Sequence, residues 1–134
     1  MEQTEMNDID YIMSLLDWNN TLQEQAKGVE MAKDVENLNV FIQPCNKKYN
    51  KNVWENCAKV LSERSDEDLS PYLVELLEWL QDLNWPGSLI ILDRLQKYAD
   101  IKSYNLAYNI CIKYSQALKD DVWENNLKML KMKN

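Results

Sequence analysis

A chain of 134 residues, 46% hydrophobic and 28% charged, has the balance of one ordinary globular domain and can bury a full core without disulfide or metal staples. Two glycines and three prolines exclude a Gly-rich phosphate cradle and argue against hairpin-rich β architecture, leaving helix as the default. A net charge of −7 opposes general nucleic-acid binding, and the absence of histidine removes the usual general base and zinc ligand.

Apolar residues recur at helical spacing through nearly the whole chain. Ile9, Ile12, Met13, Leu15 and Leu16 predict a first helix beginning after Asn7 or Asp8. Thr21 followed by Glu24 is a capping box, which predicts a second helix running to about Asp34. Leu38 to Ile42 allows one short turn before Pro44, and the polar stretch Asn46–Asn50 leads into a helix carrying Val53, Trp54, Cys57, Val60 and Leu61. Ser70 as N-cap with Pro71 at the first helical position predicts a helix through Tyr72–Leu83, and Asn84 is expected to cap the next, with Pro86 in its first turn. Tyr104–Leu118 and Asp121 to about Met132 complete seven helices, or eight with the short turn.

Self-comparison shows an internal repeat. YIMSLLDW at residues 11–18 matches YLVELLEW at 72–79, and VWENCAKVL at 53–61 matches VWENNLKML at 122–130, in the same order. Charge alternates with the same rhythm: nine acids and two bases in residues 1–36, two and five in 37–64, eight and two in 65–100, three and six in 101–134. The expected architecture is therefore an all-α, HEAT-like repeat of antiparallel helix pairs in one domain, residues 1–134, with halves at about 8–64 and 70–132. Chance likeness between amphipathic helices is the competing explanation.

Cys45, Cys57 and Cys111 are odd in number, far apart and without a C-x-x-C pair, so reduced, packed thiols are expected. No apolar run approaches the roughly 20 residues that span a bilayer, and the first ten residues carry acids where a secretion signal needs a basic start. These features predict a cytoplasmic protein. Serine–histidine and cysteine–histidine nucleophile pairs are impossible here. Asp120 and Asp121 could do acid–base work, but adjacent acids at a helix start more simply complement its dipole. No catalytic residue, metal site or cofactor is expected.

Leu69–Leu95, LSPYLVELLEWLQDLNWPGSLIILDRL, resembles a bacterial HEAT-like family of small proteins of unassigned function, whose most recognisable stretch is the LLEWLQDLNWP of Leu76–Pro86. Asn52–Leu69 is similar to an extension found in longer relatives, while residues 1–45 and 100–134 match no motif. Small helical proteins of this kind are often encoded beside polymorphic or contact-dependent growth inhibition toxins. The resemblance thus implies an immunity protein whose partner is a cognate toxin domain, with a nuclease and its basic cleft as the expected form.

The partner surface is sought accordingly among Asp66, Glu67, Asp68, Glu75, Glu78 and Asp82, the last three at i, i+3 and i+7 on one helix, although a solvated face that keeps the protein soluble is the simpler explanation. Trp18, Trp54, Trp79 and Trp123 sit at paired repeat positions and read as core; Trp85 lies outside the pairs, as a partner anchor or as a staple of its corner. Lys47, Lys48, Tyr49 and Lys51 read as a surface loop more readily than as a nucleic-acid contact. The alternative to inhibition is a HEAT-like scaffold or adaptor that recruits a helix or peptide.

Overall fold

The computed structural model describes residues 2–44 and 48–130, with side chains from Asp8 onward. The expectations for Cys45 and Lys47, and for the helix end at Met132, lie outside the described residues. Among the described residues the fold is all-helical and holds no strand.

The first helix, α1 (Glu2–Leu16), begins earlier than the apolar periodicity indicated. Beyond it, the Asn20 amide donates to the carbonyls of Ser14 and Leu15, and Gln25 Nε2 donates to those of Trp18 and Asn20. These bonds fix the corner into α2 (Leu22–Ala32), which opens on Thr21 with both halves of the capping box formed. The two helices run antiparallel: Leu15 and Leu16 meet Gly28, while Ile9 and Ile12 lie by Met31 and Val35. Gly28 is the point of closest approach, where a Cβ would come within 2.9 Å of Leu15 Cβ.

Leu38–Phe41 forms a 3-10 turn that buries Leu38 and Phe41. A second such turn, Lys51–Val53, is capped by the Asn50 side chain and leads into α3 (Trp54–Ser62), six of whose nine residues are buried. Its Asn56 reaches back to donate to the Leu16 carbonyl at 2.7 Å, so α3 satisfies the exposed end of α1.

The predicted helix over 70–83 is instead a broken run. Ser65 is the true N-cap, accepting from the Asp68 N–H before α4 (Asp66–Leu69). Pro71 lies in a 3-10 turn (Ser70–Tyr72), since it has no N–H to continue the α ladder, although Ser70 before it keeps helical dihedrals. After it come α5 (Leu73–Glu78) and a further 3-10 turn, Trp79–Gln81. Asn84 is likewise no cap: the N-cap of α6 (Ser88–Gln96) is Gly87 at φ 85°. A Cβ at Gly87 would stand 2.7 Å from Ala58 Cβ and 3.0 Å from the Trp54 carbonyl, so only glycine suits both the conformation and the approach of α6 to α3. Asp100 caps α7 (Ile101–Ala117) and Asp120 accepts from the Trp123 N–H at the start of α8 (Asp121–Leu130).

Helices stack alternately. α3 and α6 run in the same direction, Ala58 beside Gly87 and Arg64 beside Arg94, and α5 and α7 do likewise, Val74 beside Ala107 and Glu78 beside Cys111. α8 turns back along α7, with Glu124 beside Gln116. One continuous core joins every helix from Ile12 to Leu127.

The repeated segments share their inward stripes and differ in setting. Trp54, Ala58 and Leu61 on α3 match Trp123, Leu127 and Leu130 on α8, and the equivalent carbonyls of Leu16 and Leu77 are both bonded, by Asn56 and by Trp123 Nε1. Yet α3 is packed on several sides, whereas Val122, Asn125 and Met129 leave the outer face of α8 exposed.

Candidate protein-binding surface

The acidic residues singled out by the sequence do not form one surface. Asp66 is tied inward: its carboxylate accepts from Arg94 Nη2 at 2.6 Å and from the Ala99 N–H at 2.9 Å, and its carbonyl accepts from the Tyr98 hydroxyl. Asp68 pairs with Arg64, which also donates to the carbonyls of Lys33 and Val35 at the end of α2. Glu67 is exposed. Glu75 and Glu78 are half-buried alongside α7, close enough to Cys111 to assist burial in pushing its thiol up to about 12.

Asp82 leaves the stripe altogether. The 3-10 turn at Trp79–Gln81 advances its side chains by a different angle from an α-helix, and Asp82 follows it in extended backbone with its carboxylate accepting from the Asn84 N–H. The expectation of one outer face at i, i+3 and i+7 is therefore corrected: the helix that would have carried it ends at Glu78.

Trp54, Trp79 and Trp123 are core, as their spacing indicated, but Trp18 is not: it is 44% exposed. The helix stops at Leu16, so Trp18 falls past the inward stripe that the repeat assigned to it. Trp85 is half-buried. Its ring stands edge-on to Trp54 at 5.6 Å, its backbone N–H donates to the Asp82 carbonyl, and its own carbonyl accepts from the Ser88 backbone N–H, so it holds the corner before α6.

Trp85 and Trp18 also share a groove. Together with Glu55, Leu83, Leu89 and Ile90 they line an open depression of about 410 Å³ where the end of α1 meets the starts of α3 and α6. Leu89 is 62% exposed, and with Ile90 it continues into a second depression of about 600 Å³ between α3 and α6, edged by Ser62, Asp93 and Arg94. Sequence reasoning missed Trp18, Glu55 and Leu89; the polar Asn19 and Asn20 after Trp18 were the available sign that the helix had ended.

Of the described thiols, Cys57 and Cys111 are both buried, while of the two alternative acids Asp121 is exposed. Cys57 lies at a core position beside Met13, and burial pushes its thiol up; Asp120 is occupied as the α8 cap. Among the described residues no three of Asp, Glu and Cys gather closely enough to hold a metal ion, and no helix is long and apolar enough to cross a membrane.

Residues 46–133 match the family described as Domain of unknown function (DUF5071). The chain belongs to this family. The DUF5071 match runs from before α3 to the end of α8 and takes in Glu55, Trp85 and Leu89; Trp18 and the α1–α2 pair lie outside it. No curated protein and no solved structure matches the chain.

Proposed function

We propose that this protein is an immunity protein, acting in the cytoplasm by binding a cognate toxin domain and blocking it. The observation that carries the binding reading is the groove where Trp18, Trp85 and Leu89 open to solvent beside Glu55. Tryptophan on a rigid helical corner offers a large apolar area at low entropic cost and is the residue type most enriched in binding hot spots. The net charge of −7 supports the choice of partner, because a nuclease cleft must be basic to hold phosphates and an acidic inhibitor is drawn to it.

Co-expression with the toxin encoded beside the gene is expected to restore growth, and the purified proteins to associate with a salt-sensitive on-rate. Trp18→Ala and Leu89→Glu should each weaken that complex about tenfold or more while leaving helix content unchanged. Absence of both rescue and binding defeats the proposal.

A second reading rests on the parallel packing of α3 with α6 and of α5 with α7, which is consistent with the helix layers of a HEAT-like solenoid. On that reading the groove recruits a helix or peptide as an adaptor does. Recovery of several unrelated proteins, with no toxin gene adjacent, distinguishes it.

A further inference from the structure

A separate depression lies at the other end of the α1–α2 pair. Ile9 and Ile12 from α1 face Met31 and Val35 across a groove of about 540 Å³, and its remaining lining is Asp8, Asp34 and Glu36. The floor is apolar, the rim is entirely acidic, and no base contributes to it.

The carboxylates are available. None of Asp8, Asp34 and Glu36 pairs with a base among the described residues, and all three are exposed. The two bases of residues 1–36 are engaged elsewhere: Lys33 with Glu30, and Lys27 with the hydroxyl and ring of Tyr11. Arg64 reaches the end of α2 from behind, donating to the Lys33 and Val35 carbonyls, but its charge is matched by Asp68. The negative end of α2 adds to the rim, because Asp34 and Glu36 follow its last turn.

Shape and charge together define the occupant. A furrow between two antiparallel helices accepts the side-chain ridge of a third, and Ile9 and Ile12 at i,i+3 on α1, with Met31 near the end of α2 and Val35 in the turn just past it, offer such a ridge its seat. A rim of unpaired carboxylates rewards lysine or arginine on both flanks of that ridge. We infer that the α1–α2 groove is a docking site for a basic amphipathic helix of a partner protein, independent of the tryptophan groove and of whether that groove meets a toxin.

The test uses the full chain and a labelled amphipathic Leu/Lys helical peptide, with a scrambled peptide of the same composition as control, read by fluorescence anisotropy and by backbone amide NMR. The amphipathic peptide is expected to bind, to shift amides of residues 8–12 and 31–36, and to bind about tenfold more weakly to the combined variant Asp8→Asn, Asp34→Asn, Glu36→Gln. Neutralising an exposed carboxylate that lines neither groove, Asp121→Asn, is expected to leave binding as in the parent. Equal binding of the scrambled peptide, equal loss in both variants, or shifts confined to residues 18, 55 and 85–90 each overturn the inference. Toxin rescue by the variant neutralised at Asp8, Asp34 and Glu36 leaves the immunity proposal standing on its own.

Discussion

Two tryptophans at matched positions of a sequence repeat have unlike surroundings, and the difference is measurable. Trp123 Nε1 donates to the Leu77 carbonyl at 3.1 Å, whereas Trp54 Nε1 is buried and finds no acceptor among the described residues. Replacing either by phenylalanine removes a similar apolar volume, but Trp123→Phe also removes a buried hydrogen bond to the Leu77 carbonyl, worth about 1 kcal/mol, while Trp54→Phe removes an N–H that was already unpaired. Trp123→Phe is therefore expected to lower stability more than Trp54→Phe in denaturant titrations; the reverse order contradicts the bonding described. Gly28 gives a second contrast. An alanine in the middle of α2 would gain about 1 kcal/mol of helix propensity. Its Cβ would meet Leu15 Cβ, which cannot move without α1, so Gly28→Ala is expected to destabilise by about 1–3 kcal/mol.

At the scale of elements, the turn Asp82–Gly87 and the Asp66 anchor decide where the surface lies. Asp66 joins α4 to the end of α6 and the segment before α7 through Arg94 and Ala99, with side chains 14% and 30% exposed in the ion pair. Asp66→Asn keeps the size and removes the charge that Arg94 needs. Because the pair is partly hydrated the expected cost is about 1–2 kcal/mol. Faster amide exchange localised to residues 94–99 checks it. The capping box at Thr21 and the helical apolar spacing are local signals, which is why most helices were legible in sequence. The break at 70–72 was misread because Ser-Pro is a good helix start in isolation, and only the packing of Leu69 and Leu73 into the core carries the chain through Pro71 as a 3-10 turn. The acidic stripe failed with it, since a stripe drawn at helical spacing is only as long as the helix.

At the scale of the whole molecule, the titration behaviour follows from burial. Cys57, Cys111, Tyr49, Tyr98, Tyr104 and Tyr108 are all raised, in each case chiefly by burial, with Cys111 and Tyr49 pushed up to about 12. The folded chain thus keeps protons that the unfolded chain releases, from the ordinary value of 9.0 for thiols and 10.0 for phenols upward. Stability from these groups is complete below those values and is lost as pH rises toward the folded values. Thermal midpoints are expected to stay level between about pH 6 and 8, where no histidine titrates, and to fall steeply above about pH 9. Ionisation of Tyr49, Tyr98, Tyr104 and Tyr108 should accompany loss of helix; a stable fold in which these four ionise near 10.0 refutes the burial described.

What the sequence by itself determined is whatever depends on neighbours along the chain: an all-helical class, the cap at Thr21, the buried stripe of α3, and the packing of Cys57. The tertiary structure alone decided which side chains face water. Exposure is a property of what lies across the core, so Trp18 and Leu89 emerge, Asp66 turns inward to Arg94, and Asp8, Asp34 and Glu36 stand exposed around the α1–α2 groove.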